Sequence, residues 1–348
     1  MGVREAGGLR LNRNETSGAV TCHTDPMADM SFRRVKYFLA AVDAGTMTAA
    51  AQSLRMAQPA LSRQIKLFEQ DLGLTLFRPK GNRLVLTTAG ERLVPMARRL
   101  MGEVDRFERG AATLSTGRAS TLTVGTTEAT LRNLLAPFIA TLGSDDPLVN
   151  ARTVIQANIP VALREGCDAA SSTAPMQGEL VSETLGSAPI YACVSARHPM
   201  AIAGVVEAPI EDFADHAVVL PTHRNASRYL LDFALSAAGI RFPSVMESDD
   251  GQAIMALTAS GTATGFTSEL PRFGVHPIRV LVPTTRAPSG DLDDDAAREP
   301  LAIELHLVWP RGHYAHEQLL ELAGRLSHFL DRWAAADWAG MDEPWNYA

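Results

Sequence analysis

From Phe32 to Ala44 the apolar positions Val35, Phe38, Leu39 and Val42 recur at helical spacing, and Gly45 follows them. The pattern predicts a helix that the glycine ends. A shorter helix is predicted through Thr48–Leu54, with Thr46 or Thr48 as its N-cap. After a tight Arg55-Met56-Ala57 turn, a third helix is predicted from about Gln58 to Leu72. Pro59 lies near its start, where a missing N–H costs nothing. Leu61, Ile65, Phe68 and Leu72 form one apolar stripe, and Gln58, Ser62, Arg63 and Lys66 lie off it. Two short helices, a tight turn and a polar-faced third helix make a helix-turn-helix, whose last helix suits a major groove.

Alternation over Leu74–Thr87 predicts two short strands around a Lys80-Gly81-Asn82 turn. In such a wing Arg78, Lys80 and Arg83 are placed to meet phosphates. A long helix is predicted from about Thr88 to Leu114. Along it Leu93, Ala97, Leu100, Val104, Phe107, Ala111 and Leu114 alternate steps of four and three. That is a heptad seam, which predicts pairing with a second copy of the chain. The alternative is an amphipathic helix packed on its own domain, with a period nearer 3.6. Pro95 removes one backbone bond and predicts a kink in the first turns.

Thr116–Ser120 reads as a hinge. Beyond it, strand-like runs at Thr153–Ile155, Ile190–Val194, Ala217–Leu220, Val275–Val282 and Ile303–Trp309 alternate with helical ones. The helical runs are Leu131–Leu142, Val161–Glu165, Arg228–Ala238, Gln252–Ala259 and Ala315–Trp333. Alternation of this kind predicts α/β lobes with mainly parallel sheets. Residues 286–300 are acidic, aperiodic and Pro/Gly-bearing, and predict a solvated loop. Their four aspartates lack the glutamate and spacing of a calcium loop, so no metal is expected.

The chain has 348 residues, 46% of them hydrophobic, which suits two or three globular units. It holds no apolar run near the ~20 residues of a membrane span, and residues 1–29 show no apolar secretory core. That extension is polar and aperiodic, read as disordered or as a misassigned start. Cys22, Cys167 and Cys193 make neither a disulfide framework nor a metal motif. A cytoplasmic protein with no membrane contact is expected.

The formal net charge of -7 is unevenly spread. Residues 30–110 carry 14 basic and 7 acidic side chains, whereas residues 111–348 carry 15 and 28. A basic head on an acidic body points to nucleic acid at one end only.

Three stretches then carry a family resemblance: Phe38 to Ala51, Leu54 to Phe77 with its Ala57-Gln58-Pro59-Ala60-Leu61-Ser62-Arg63-Gln64-Ile65 core, and Leu86-Thr87-Thr88-Ala89-Gly90. Together they resemble the LysR-type transcriptional regulators. The likeness continues more thinly through Leu163-Arg164-Glu165-Gly166-Cys167-Asp168 and Arg197-His198-Pro199-Met200-Ala201 down to residue 332. It implies a winged helix-turn-helix over 30–87, a dimerisation helix and hinge over 88–118, and an effector domain like periplasmic binding proteins over 119–332. In that domain lobe I takes about 119–190 and 302–332, lobe II takes about 191–290, and 333–348 is a tail.

By the same resemblance, Thr46, Thr48, Gln58, Pro59, Ser62, Arg63, Lys66, Arg78, Lys80 and Arg83 would contact double-stranded promoter DNA. Gln58 suits adenine and Arg63 suits guanine or phosphate; the structural alternative is that Gln58 and Ser62 merely cap their helix. Pro79 stands where the family carries an arginine, so the wing's phosphate contact is expected to shift. Leu93, Leu100, Val104, Phe107 and Leu114 would form the homodimer, with a homotetramer beyond it and RNA polymerase as a further partner.

No cofactor is implied. A small-molecule effector, a carboxylate among the candidates, would lie between the lobes near Thr126, Thr127, Glu128, Thr130, Gln156, Thr222, His223, Arg224 and Phe266. Ordinary N-capping is the competing reading for each threonine, and Glu128 argues against a simple anion site. Thiol-based redox sensing through Cys167 and Cys193 is an alternative, although their apolar settings favour inert thiols. A solute-binding protein would need a signal peptide and no basic head. An enzyme is not expected, because no P-loop, GxSxG or HExxH motif occurs.

Overall fold

A computed structural model describes residues 31–80, 83–283 and 297–334; the expectations for 1–29, for most of the acidic segment 286–300 and for the tail beyond 334 lie outside them. The chain divides into two compact units, one ending at Ala97 and one beginning at Arg98.

In the first unit α1 spans Phe32–Ala44 and ends on Gly45, whose φ of 66° is open to glycine at no cost. Helix α2 is Met47–Ser53, and α3 is Gln58–Leu72. Val35, Phe38, Ala41, Ala50, Leu61, Ile65 and Phe68 are buried. The Phe38 ring packs on Phe68 at 5.9 Å and on Phe77 at 5.6 Å. Strand β1, Phe77–Lys80, pairs antiparallel with β2, Arg83–Leu86. Helix α4, Thr88–Thr116, is continuous through Pro95.

The second unit holds two sheets. The chain forms β3 (Thr121–Thr126), then α5 (Glu128–Thr130), a π-helical turn (Leu131–Leu135) and α6 (Ala136–Ile139). It continues through β4 (Leu148–Thr153), α7 (Ile159–Arg164), β5 (Ala169–Ser172) and β6 (Leu180–Pro189). Next come β7 (Tyr191–Val194), α8 (Pro199–Ile202), β8 (Glu207–Pro209), β9 (Ala217–Pro221) and α9 (Ala226–Ala237). They are followed by β10 (Ser244–Ser248), α10 (Gly251–Ala259), β11 (Thr264–Thr267), β12 (His276–Pro283) and β13 (Arg298–Pro300). The chain then returns to the first sheet in β14 (Ala302–Pro310) and ends in α11 (His316–Ala334). The sheet of lobe I runs β4-β3-β5-β14-β6, and that of lobe II runs β10-β9-β11-β7-β12-β13 with β8 also on β12.

The sheets are mixed, which corrects the expectation of mainly parallel pairing. β3 is parallel to β4 and β5, and β9 to β10 and β11, but β14 and β7 pair antiparallel with both their neighbours. The strand expected at Thr153–Ile155 lies earlier, at Leu148–Thr153. Arg298–Pro300, read as loop, pairs with Leu281–Pro283. β5 is built of alanine and serine, and β6 holds Gly186 at φ 130°, so neither shows the β-branched alternation that marks a strand. None of the described helices is long and apolar enough to cross a membrane.

Candidate functional site

The first candidate surface is the exposed side of α3. Gln58, Pro59, Arg63 and Lys66 are exposed and Ser62 is half-buried, all opposite the stripe of Leu61, Ile65 and Phe68. Ala57 occupies the N-cap of α3, and no side chain caps that end. Gln58 and Ser62 therefore do not act as caps, and their polar groups are free for an outside partner. Thr46 is the cap of α2, its hydroxyl accepting from the Ala49 N–H at 3.2 Å; Thr48, in the first turn, is exposed. Arg78 on β1 is exposed, whereas Lys80 and Arg83 are described only as partners at the hairpin end of the strands.

Two residues that the sequence did not single out hold this wing to α3. The Glu69 carboxylate accepts the N–H groups of Leu76 at 2.7 Å and Phe77 at 3.1 Å. Gly90 lies so close to the same corner that a Cβ would stand 2.4 Å from the Leu76 carbonyl oxygen. The geometry of recognition helix and wing thus rests on a carboxylate and a missing side chain. Gly90→Val is expected to lower the thermal midpoint by several degrees, since overpacking costs about 1–3 kcal/mol. An unchanged midpoint by calorimetry would count against that packing role.

Along α4, Leu93, Leu100 and Val104 are half-buried, while Phe107 and Leu114 are 77% and 88% exposed. A neighbouring face of the same helix is used internally. Gly102 lies against the backbone of Arg164 and Glu165, and Arg109 reaches Tyr314 and Asp168. Packing on its own domain thus accounts for one face of this helix, and Phe107 and Leu114 stand exposed on another.

The second candidate is the cleft of the second unit. In lobe I the chain passes from β3 to β4 on one side and then to β5 on the other, so the carboxyl end of β3 is a topological switch point. Lobe II repeats the arrangement around β9. Such points open a crevice where ligands bind. Around the first lie Thr126, Thr127, Gln156, Ser171 and Ser172; around the second lie Thr222, Asp249, Asp250 and Glu269.

Arg132 connects the two. Its guanidinium lies 3.1 Å from Glu128 in lobe I, and 3.3 Å from Asp250 and 3.4 Å from Glu269 in lobe II. Asn133 adds a second link, donating to the Ala129 carbonyl and accepting the Leu270 N–H at 3.2 Å. Burial pushes the Glu269 carboxyl up, against the opposing pull of Arg132. Desolvation also acts on Asp250, but backbone N–H groups of α10 and the Arg132 charge outweigh it and hold that carboxyl below its ordinary value. Gly251 has no Cβ, and one would stand 2.5 Å from Glu269, so only glycine admits that carboxylate here.

The expected effector residues divide accordingly. Thr126 is fully buried, its hydroxyl 2.7 Å from that of Ser171. Thr127 caps α5, accepting from the Thr130 N–H at 3.3 Å, so capping accounts for both residues. Gln156 donates to the Ser172 hydroxyl at 2.9 Å. Thr222 bonds Asp249, Arg224 lies 3.9 Å from that carboxylate, and His223 is 2.9 Å from Asp232. Phe266 is corrected: it is fully buried among Phe213 and Phe242 in the core of lobe II. Arg132, Asp250 and Glu269 were missed because no local pattern distinguishes residues that meet only across two lobes. His198 is structural, its Nδ1 accepting the Met200 N–H that opens α8.

Cys167, just before β5, and Cys193, within β7, are both buried, and desolvation pushes their thiols up, that of Cys193 to about 12. Thiolates are scarce at such values, which does not favour redox sensing. Among the described residues no group of three or more acidic, histidine or cysteine side chains is placed to hold a metal.

Comparison with known proteins adds the following. Residues 32–91 match the bacterial regulatory helix-turn-helix protein of the lysR family, and residues 115–330 match the LysR substrate binding domain. The regulator MetR of Haemophilus influenzae is 41% identical over 95 residues, which cover 27% of this chain and 31% of MetR. CfxR of Cupriavidus necator is 30% identical over 179 residues, 49% of this chain and 55% of CfxR. These matches span less than two thirds of either relative. The nitrogen assimilation regulatory protein nac of Escherichia coli is 26% identical over 67% of this chain and 76% of its own. Among solved structures, CbnR, a LysR family transcriptional regulator, aligns with a TM-score of 0.59 and 21% identity over 88% of this chain and all of that one. A full-length OxyR variant from Pseudomonas aeruginosa aligns at 0.56 with 17% identity over 86% of this chain and 95% of its own. At these identities the likeness is one of fold.

Proposed function

The chain belongs to the LysR family of bacterial helix-turn-helix proteins, and from that premise we propose that it is a cytoplasmic regulator that binds promoter DNA through α3. The observation that carries the reading is the uncapped, exposed face of Gln58, Arg63 and Lys66 on a head of net positive charge. A helix so equipped would place amide and guanidinium donors against base edges, while the exposed Arg78 of the wing would meet phosphates. The exposed Phe107 and Leu114 support pairing of two chains, and pairs of pairs extend that to a homotetramer. Contact with RNA polymerase belongs to the same proposal.

A small-molecule effector held between the lobes would shift the arrangement of these chains on DNA. Three basic side chains at the cleft have acidic partners: Arg132 has three, Arg224 has Asp249 and His223 has Asp232. A carboxylate effector would therefore take over one of these pairs, so a ligand carrying hydroxyl or ammonium groups as well fits the cleft better.

The test is binding of purified protein to the intergenic DNA beside its own gene, measured across salt concentrations. A steep inverse dependence on salt is expected, and salt-independent or absent binding would refute the reading. Arg63→Ala should weaken the best site by about 1–3 kcal/mol, roughly 5- to 150-fold, and relax its sequence preference. Equal losses on specific and random DNA would assign Arg63 to phosphate alone.

A further inference from the structure

We propose that Asp168 is a clamp that fixes lobe I to the α4 helix, and that Arg109 is the positioning residue through which the state of the cleft reaches the paired helices. Asp168 has no exposed surface, yet its carboxylate accepts four hydrogen bonds from three separate parts of the chain. Oδ2 takes the Thr123 N–H of β3 at 2.8 Å. Oδ1 takes the Tyr314 hydroxyl at 2.8 Å, and lies 3.2 Å from both His313 Nε2 and Arg109 Nη2. Arg109 comes from α4, and it also donates from Nε to the Tyr314 hydroxyl, 2.9 Å away, and from Nη2 to the Gly166 carbonyl.

The surroundings are built for close contact. Gly102, about two turns back along the same face, sits where a Cβ would be 2.6 Å from the Arg164 carbonyl oxygen, and Arg106 donates to the Leu163 carbonyl at 2.5 Å. Gly102, Arg106 and Arg109 therefore dock on the last turn of α7 and the loop that joins it to β5. β3 and the strand that follows that loop, β5, both lead into the cleft: β3 ends at Thr126 and β5 at Ser172. The carboxyl end of β3 lies three residues from Thr123 and that of β5 four from Asp168, and a buried carboxylate held by four donors is coupled to its partners. Charge alone does not explain the site, because a buried ion pair adds little net stability over apolar packing. A fixed geometry does.

The inference rests on the DNA-binding proposal, and its experiment separates the two. Full-length Arg109→Met and Tyr314→Phe proteins are footprinted on the same intergenic DNA as the parent, with the salt slope recorded in parallel. Both variants keep the α3 face intact, so their affinity should stay within tenfold of the parent and their salt slope should be unchanged. The protected region should move or shorten by about one helical turn, roughly 10 bp, because chains can only regrip DNA on the same face. Arg109→Lys should restore part of the parental footprint by returning the charge. Tyr314→Phe removes one hydroxyl and carries the test where Arg109→Met does not fold. Folded variants that give the parental footprint would overturn the clamp. A parent with no salt-sensitive binding would instead overturn the DNA-binding proposal.

Discussion

Replacing Phe107 and Leu114 together by aspartate should convert the protein from dimers to single chains. Both side chains lie on the exposed face of α4, at 77% and 88% exposure, in a row with Leu100 and Val104 at steps of four and three. Such surface is costly to leave in water, and a large apolar side chain is worth about 1.5–3 kcal/mol when buried. A twofold pairing counts each position twice, so the loss is on the order of 6 kcal/mol, about four decades in Kd. Sedimentation at micromolar concentration reads the outcome directly. Operator binding should fall with it, since each chain then grips a single half-site. A double variant that still sediments as a dimer would place the interface elsewhere. The companion face of Gly102, Arg106 and Arg109 should be unaffected, because it is already docked on the chain's own lobe.

The second large effect is on stability. Asp168→Ala leaves the Thr123 N–H and the Tyr314 hydroxyl without their acceptor and removes the charge that faces Arg109. Removing one member of a buried charged group costs about 3–5 kcal/mol. Urea titration should show that loss in the second unit, and a shift below about 1 kcal/mol would mean water replaces the carboxylate freely. The pH dependence has a defined sign. Desolvation pushes the Asp168 carboxyl up, but the bonds from His313 and the Thr123 N–H and the charge of Arg109 outweigh it and hold it below its ordinary value. A carboxyl lowered in the folded state stabilises the protein above its unfolded pKa, near 3.9, and that contribution is lost as pH falls toward the folded value. Parental stability should therefore decline below about pH 5, and the alanine variant should decline less steeply.

Legibility differs between the two units for a physical reason. In the head, burial follows local periodicity: α3 was readable as Gln58–Leu72 because Leu61, Ile65 and Phe68 recur at its own period, and Gly45 and Gly73 punctuate the chain. The helix α4, Thr88–Thr116, was readable on the same grounds. In the lobes some strands are rich in small or polar residues, as in Ala169–Ser172 and Leu180–Pro189. They are strands because β14 and β3 offer them backbone partners, and pairing partners distant in the chain leave no local mark.

The candidate sites divide in the same way. Sequence alone determined the polar face Gln58, Arg63 and Lys66, because a helix separates its faces by arithmetic. Tertiary structure alone decided that Phe266 is core, that Thr127 is a cap, and that Arg132 spans the lobes to Asp250 and Glu269. It also decided that Asp168 gathers Arg109, Thr123, His313 and Tyr314 from positions up to 205 residues apart. Periodicity reports which side of one element is buried; a meeting of charges depends on how many elements fold onto one point, and no single stretch of chain contains that information.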